Sequence, residues 1–174
     1  PYTISASNLT IPKRYRKKVK LIGPVVPVEL SGPPPQDALK ASLFFASRKP
    51  LIYAAVSGPK MERSILSDLL SHSLSEFPSE YEVVLSRGEP NGSSHPVRSG
   101  NLTVYDWVDD QHDLLKASSV VISRAGHGTI MKAIMLGKPM VLIPIPDHTE
   151  QYGNAKRASQ LGLGETVPQR EVTA

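Results

Sequence analysis

The chain contains no cysteine among its 174 residues, which excludes disulfides, thiolate metal sites and cysteine nucleophiles and fits a reducing compartment. It also lacks any apolar run long enough to cross a bilayer as a helix, and its first residues lack the basic-then-apolar order of a secretory signal. A soluble, cytoplasmic protein is therefore expected, with the inner face of a membrane as a secondary location. Aromatic residues make up only 6% and include a single tryptophan, so no stacking series for single-stranded nucleic acid is present. The five histidines are scattered without ligand spacing, and no metal site and no cofactor are expected. What the chain does have is 40% hydrophobic residues over one domain's length, which excludes a disordered composition and suffices for a substantial core.

Net charge is +4, but the charge is not spread evenly. Lys13, Arg14, Arg16, Lys17, Lys18 and Lys20 supply six of the twenty basic residues; without them fourteen basic residues face sixteen acidic ones, a balance of −2. The basicity belongs to one short arm. A solvated segment is the favoured reading of such a run, and peripheral contact with anionic membrane lipid is the alternative; with only Tyr15 interleaved, nucleic acid is not expected as a partner. Around the arm, Pro1, Pro12, Pro24, Pro27 and Pro33 to Pro35 fragment residues 1–35 and forbid a long helix. Residues 1–35 therefore read as a linker, and 36–174 as the folded domain.

Within the domain, strand and helix signals alternate. Asp37 to Ala46 reads as a short helix and Pro50 to Val56 as a first strand ended by Ser57-Gly58-Pro59. Met61, Ile65, Leu66, Leu69, Leu70 and Leu74 follow helical spacing and predict a core-facing stripe. Tyr81 to Leu85 gives a second strand, Gly88 to Gly100 a mobile surface loop, and Asn101 to Trp107 a third strand; Asp109-Asp110 precede a short helix. The series predicts an α/β fold with a doubly wound parallel sheet.

The densest information lies from Val120 to Ala155. Val120 to Ile122 is a buried-strand signal, Ala125 to Gly128 a small-residue turn, and Thr129 to Leu136 a helix with Gly137 as its left-handed cap and Pro139 beyond; Met140 to Ile145 is the next strand. This is a βαβ unit whose glycine turn falls where a strand's carboxyl end meets a helix's amino end. Unpaired amides, the helix dipole and close approach at glycine suit that place to phosphate, although Gly126 and Gly128 alone would also serve a tight connection. Arg124 before the turn could pair with diphosphate or with an acid across the sheet, with the structural role slightly favoured. His127 and Thr129 lie in the turn itself. A second helix begins near Asp147, where Asp147 and Glu150 have capping-box spacing, while Gln151 and Asn154 are free to meet sugar hydroxyls.

The joint order SRAGHGT, GKP and DHTEQYGNA resembles the carboxyl-terminal domain of GT-B glycosyltransferases, closest to family 28, over about Pro50 to Val167. The family includes enzymes that move N-acetylglucosamine from a UDP-sugar onto lipid-linked acceptors. The resemblance implies donor binding by the loops Ser57-Gly58, Ser86-Arg87 and Trp107-Val108 together with Arg124, Gly126, His127, Gly128, Thr129, Glu150, Gln151 and Asn154. It also implies that the acceptor site and general base belong to an amino-terminal domain preceding Pro1, so no catalytic residue is expected within this chain. The sequence departs from the family at Lys132, six residues beyond Gly126, where a carboxylate usually accepts from both ribose hydroxyls; a lysine has donors only. Two other readings remain open: a nucleotide-sugar 2-epimerase on a related sheet, and a non-catalytic nucleotide-sugar-binding subunit that recruits a membrane partner.

Overall fold

The computed structural model describes residues 13–18, 49–93, 95–109 and 111–173. The expected helix at 37–46, and the linker apart from 13–18, lie outside the described residues. Lys13–Lys18 forms a 3-10 turn in which Lys13, Arg14, Lys17 and Lys18 are exposed and the Arg14 guanidinium lies 4.7 Å from the Tyr15 ring centroid.

The domain contains strands β1 (Leu51–Ala55), β2 (Glu82–Ser86), β3 (Val97–Ser99), β4 (Leu102–Tyr105), β5 (Val120–Ser123), β6 (Met140–Leu142) and β7 (Gly164–Thr166). Its helices are α1 (Lys60–Ser75), α2 (Gln111–Ala117), α3 (His127–Met135) and α4 (Thr149–Gln160). All seven strands form one sheet in the order β3-β4-β2-β1-β5-β6-β7, with every pairing parallel except β3 against β4. The chain moves one way from β1 to β2 and β4, then returns past β1 to β5 and moves the other way to β6 and β7. Successive parallel strands joined by right-handed crossovers place their helices on opposite faces for the two directions of travel. The expected doubly wound α/β sheet is what forms, and its switch point lies between β1 and β5.

Side-chain alternation in β1 divides the core. Leu51, Tyr53 and Ala55 pack with Leu114, Leu115, Ile130, Met131 and Ala155 from α2, α3 and α4, whereas Ile52, Ala54 and Val56 pack with Leu66, Leu70 and Leu74 of α1. A strand buried on both faces reads as a near-continuous hydrophobic run, as β1 does. The α1 stripe is narrower than its spacing predicts. Leu66, Leu70 and Leu74 are buried, but Met61 is 76% exposed and Ile65 43% exposed, because only one i, i+4 row meets the sheet.

Three expectations are corrected. The 88–100 segment is not a bare loop: it carries β3, and Asp106 anchors its first half by accepting from the Ser93 amide at 3.1 Å and through its own carbonyl from the Glu89 amide at 2.7 Å. The strand expected at Asn101–Trp107 is confined to Leu102–Tyr105. β6 stops at Leu142, although the Ile143 amide still donates to the Ser123 carbonyl at 2.9 Å, because Pro144 has no N–H with which to continue. Gly137, with φ 61°, ends α3 as expected.

Candidate functional site

A cleft of about 170 Å³ opens at the carboxyl ends of β1, β2 and β4, beside the switch point, and meets the first turn of α3 at Thr129. Its walls come from the loops the sequence singled out. Ser57 and Gly58 follow β1, Ser86 ends β2, and Trp107 and Val108 follow β4. Trp107 is half-buried, and its indole N–H donates to Asp109 at 3.0 Å, which holds the ring on this loop. Tyr53 rises from β1 into the floor; its hydroxyl bonds Ser86, and burial, outweighing that hydrogen bond, pushes its pKa up. The floor is therefore a neutral, internally bonded pair.

Sequence reasoning missed six lining residues: Tyr53, Ala55, Val56, Arg63, Gly88 and Gln111. Tyr53 was hidden inside a strand pattern that only signals burial. Arg63 reaches the cleft from the first turn of α1 and donates to the Gly88 carbonyl at 2.6 Å, a link that joins segments 25 positions apart. Gly88 has φ 70°, and a Cβ there would strike the Val56 carbonyl, so this glycine is required by the fold itself. Its place two residues after the end of β2 was the one signal available.

Gly126 and Gly128 are a different case. Gly126 precedes α3 with φ −76° and ψ 139°, a conformation any residue adopts, and Gly128 lies within the helix. A Cβ built on either meets nothing within 4 Å. Neither backbone conformation nor packing demands glycine at these two positions. Both lie at the exposed amino end of α3, where no side chain caps the helix and no acidic residue occupies the first turn. Among the described residues, His127 Nδ1 is enclosed there without a hydrogen-bond partner. The arrangement is a ready anion-binding surface, with free amides and dipole aligned.

Other expected site residues turn out to be occupied. Arg124 is 1% exposed, and its guanidinium donates to the carbonyls of Glu62 (2.7 Å), Ile143 (3.3 Å) and Pro144 (3.4 Å) and to the Gln169 side chain (2.6 Å), with the Glu62 carboxylate 3.9 Å away. Burial lowers its pKa and Glu62 partly restores it, and its role is to tie α1, the end of β6 and the chain's last turn together. Of the two roles open to Arg124 in the sequence, the geometry is that of the favoured structural one. Asn154 is corrected from ligand contact, being fully buried with its amide donating to the Ala125 carbonyl at 3.0 Å, so it steadies the glycine turn from behind. Arg87 pairs with Asp106 at 3.5 Å and does not line the cleft.

The second helix start also differs from expectation. Asp147 has φ 59° and cannot take the extended conformation of an N-cap, so the Asp147/Glu150 capping box does not form. The cap is His148, whose Nδ1 accepts from the Gln151 amide at 3.4 Å. Gln151 accepts from the Ile145 amide at 2.9 Å through its side-chain carbonyl, leaving its NH₂ as the group available to a ligand, and Glu150 is exposed in the first turn. These residues lie beyond the cleft proper, at the next strand end along the same sheet edge. Lys132 is half-buried on α3 and likewise does not line the cleft. Among the described residues, no cluster of three or more His, Asp or Glu is placed to hold a metal, and no helix is long and apolar enough to cross a membrane.

Comparison with known proteins bears on the family and the fold. An uncharacterized glycosyltransferase of Methanopyrus kandleri is 31% identical over 162 residues, covering 90% of this chain and 44% of the relative. The UDP-N-acetylglucosamine–N-acetylmuramyl-(pentapeptide) pyrophosphoryl-undecaprenol N-acetylglucosamine transferase of Thermosipho africanus is 31% identical over 147 residues, covering 83% of this chain and 42% of the relative. The chain thus spans less than half the length of these relatives. Among solved structures, MurG of Acinetobacter baumannii superposes with a TM-score of 0.57 at 21% identity over 87% of this chain and 44% of that one, a likeness of fold. Residues 60–174 match the family described as the glycosyltransferase family 28 C-terminal domain, and with the sheet, switch point and helix start as found, the chain belongs to that family.

Proposed function

We propose that this chain is the donor-binding half of a glycosyltransferase that moves a hexosyl group, N-acetylglucosamine foremost, from a UDP-sugar to a hydroxyl of a lipid-linked or other acceptor. The observation that carries the reading is the pair Gly126 and Gly128. Their missing side chains leave open space at the amino end of α3, and the fold has no need of that space. A diphosphate would take it, accepting from the first amides of the helix. The nucleoside would lie in the adjoining cleft against Trp107 and Val108, and the sugar would extend toward Glu150 and Gln151 at the next helix start. In this reading the domain's chemical contribution is to stabilise the leaving diphosphate by helix amides and dipole, while acceptor and general base belong to the portion of the relatives that this chain does not span.

A peripheral contact with an anionic membrane is part of the same proposal. It rests on the exposed cations of residues 13–18, each of which would contribute about 1 kcal/mol near an anionic surface. Sedimentation with vesicles containing anionic lipid, against neutral vesicles, reads this contact separately from donor binding.

The test of donor binding is thermal unfolding of the chain with and without UDP and UDP-N-acetylglucosamine. A ligand at about 100 times its Kd stabilises the native state by roughly 2.7 kcal/mol and raises Tm accordingly. No shift at millimolar UDP would overturn donor binding. Full turnover of a lipid-linked acceptor by this chain alone would overturn the division of labour.

A further inference from the structure

A nucleoside offers hydroxyls that must donate as well as accept, so a site that recognises it needs acceptors. Around the cleft they are few. The Ser86 hydroxyl is engaged with Tyr53, Arg63 has donors only, no Asp or Glu side chain lines the walls, and the remaining hydroxyls are those of Ser57, after β1, and Thr129, at the α3 end of the cleft. Gln111 stands apart from these. It is the first residue of α2, is half-buried in the same wall as Trp107 and Val108, and neither its amide carbonyl nor its NH₂ has a partner among the described residues. Its neighbour Asp109 accepts from the Trp107 indole and is not part of the cleft lining, which leaves the Gln111 amide as an unspent acceptor and donor pair in this wall among the described residues.

We propose that Gln111 is the specificity-determining residue for the nucleoside half of the donor, its carbonyl accepting from the ribose 2′-hydroxyl and its NH₂ donating to a second oxygen of the same nucleoside. The proposal rests on the donor reading above. With Trp107 and Val108 giving the flat base an apolar wall, the sugar ring is the part left for a polar group at the start of α2. A neutral amide accepts from a hydroxyl without adding negative charge beside a diphosphate. Lys132, which lacks an acceptor and lies outside the cleft lining, does not compete for the role.

Calorimetric titration of the chain with UDP, 2′-deoxyuridine diphosphate and inorganic diphosphate tests it, on wild type and on Gln111→Met, which keeps the length of the side chain and removes the amide. Wild type is expected to prefer UDP to the deoxy ligand by about fivefold to tenfold, the scale of one net hydrogen bond. Gln111→Met should bring UDP down to the deoxy level, with inorganic diphosphate unchanged. If the Met variant fails to fold, Gln111→Asn, which withdraws the amide by one methylene, reads the same ratio. A preference that survives either folded variant, or a wild type that binds UDP and its deoxy form equally, overturns the role of Gln111 while leaving donor binding standing. Failure of wild type to bind UDP and diphosphate alike overturns the donor reading and this proposal together.

Discussion

Replacing Gly128 by alanine should make the apo domain more stable and the nucleotide complex weaker. Gly128 is the second residue of α3, and an added Cβ has open space around it. Alanine in a helix is favoured over glycine by about 1 kcal/mol in the interior and less near an end, so a gain of about 0.5 to 1 kcal/mol is expected. For a chain of this size that gain corresponds to roughly 1 to 4 °C in Tm. The same methyl group occupies the place a phosphate oxygen would approach, and each charge-assisted hydrogen bond lost is worth about 1.5 to 3 kcal/mol. UDP affinity should therefore fall by about tenfold to a hundredfold. Denaturant unfolding without ligand and calorimetry with UDP read the two halves independently. Gly126→Ala should weaken UDP binding likewise, but Gly126 is the N-cap of α3, where glycine is preferred to alanine, so no gain in apo stability is expected there. If either substitution destabilises the apo domain by more than about 1 kcal/mol, the glycine serves the fold after all. If stability rises and UDP binding is untouched, the amino end of α3 is not the phosphate site.

Other expectations follow from the buried polar groups. Arg124→Met should cost about 3 to 5 kcal/mol in unfolding free energy, since four acceptors lose their partner in the interior; a normally stable variant with weakened UDP binding would return Arg124 to the ligand. Gln151→Ala should weaken the nucleotide-sugar by about 1 kcal/mol more than UDP, provided its free NH₂ meets the sugar; equal losses would show that it only holds the Ile145 loop. Tyr53 ionises later in the fold than in the unfolded chain, so between the ordinary value of 10.0 and its raised value the folded state binds more protons. Stability should fall as pH rises above that ordinary value, by up to about 1.4 kcal/mol per pH unit from this group, and Tyr53→Phe should flatten that part of the profile. An unchanged alkaline slope in the phenylalanine variant would contradict the buried, neutral Tyr53.

The fold was legible where local rules and tertiary context agree. The β5-α3-β6 unit, the Gly137 cap and the order of strands and helices follow from apolar period and turn chemistry, which act over a few residues. What period does not encode is the direction of a polar side chain. Arg124 and Asn154 look like ligand contacts because they are polar and sit beside a glycine turn, yet both are turned into the domain, one toward carbonyls of Glu62, Ile143 and Pro144, the other toward the Ala125 carbonyl. The Asp147/Glu150 capping box failed for a related reason, since its spacing is satisfied in sequence but Asp147 takes a left-handed conformation. β3 was missed because an edge strand of three exposed residues has neither burial nor alternation to announce it. The candidate cleft was half legible. Its loops follow strand ends and could be placed by topology, but Tyr53, Arg63 and Gln111 reach it from within regular elements, where nothing local marks a residue as facing a ligand.

The most direct test of the central claim is a titration of the ¹⁵N-labelled chain with UDP, followed through backbone amides and the single tryptophan indole. The account predicts saturable shifts at His127, Gly128, Thr129 and Ile130, whose amides begin α3, together with a shift of the Trp107 indole N–H. Saturable binding that moves residues of the 13–18 arm, or the far end of the sheet near Gly137 and Gly162, while leaving the α3 amides and Trp107 unmoved would contradict it.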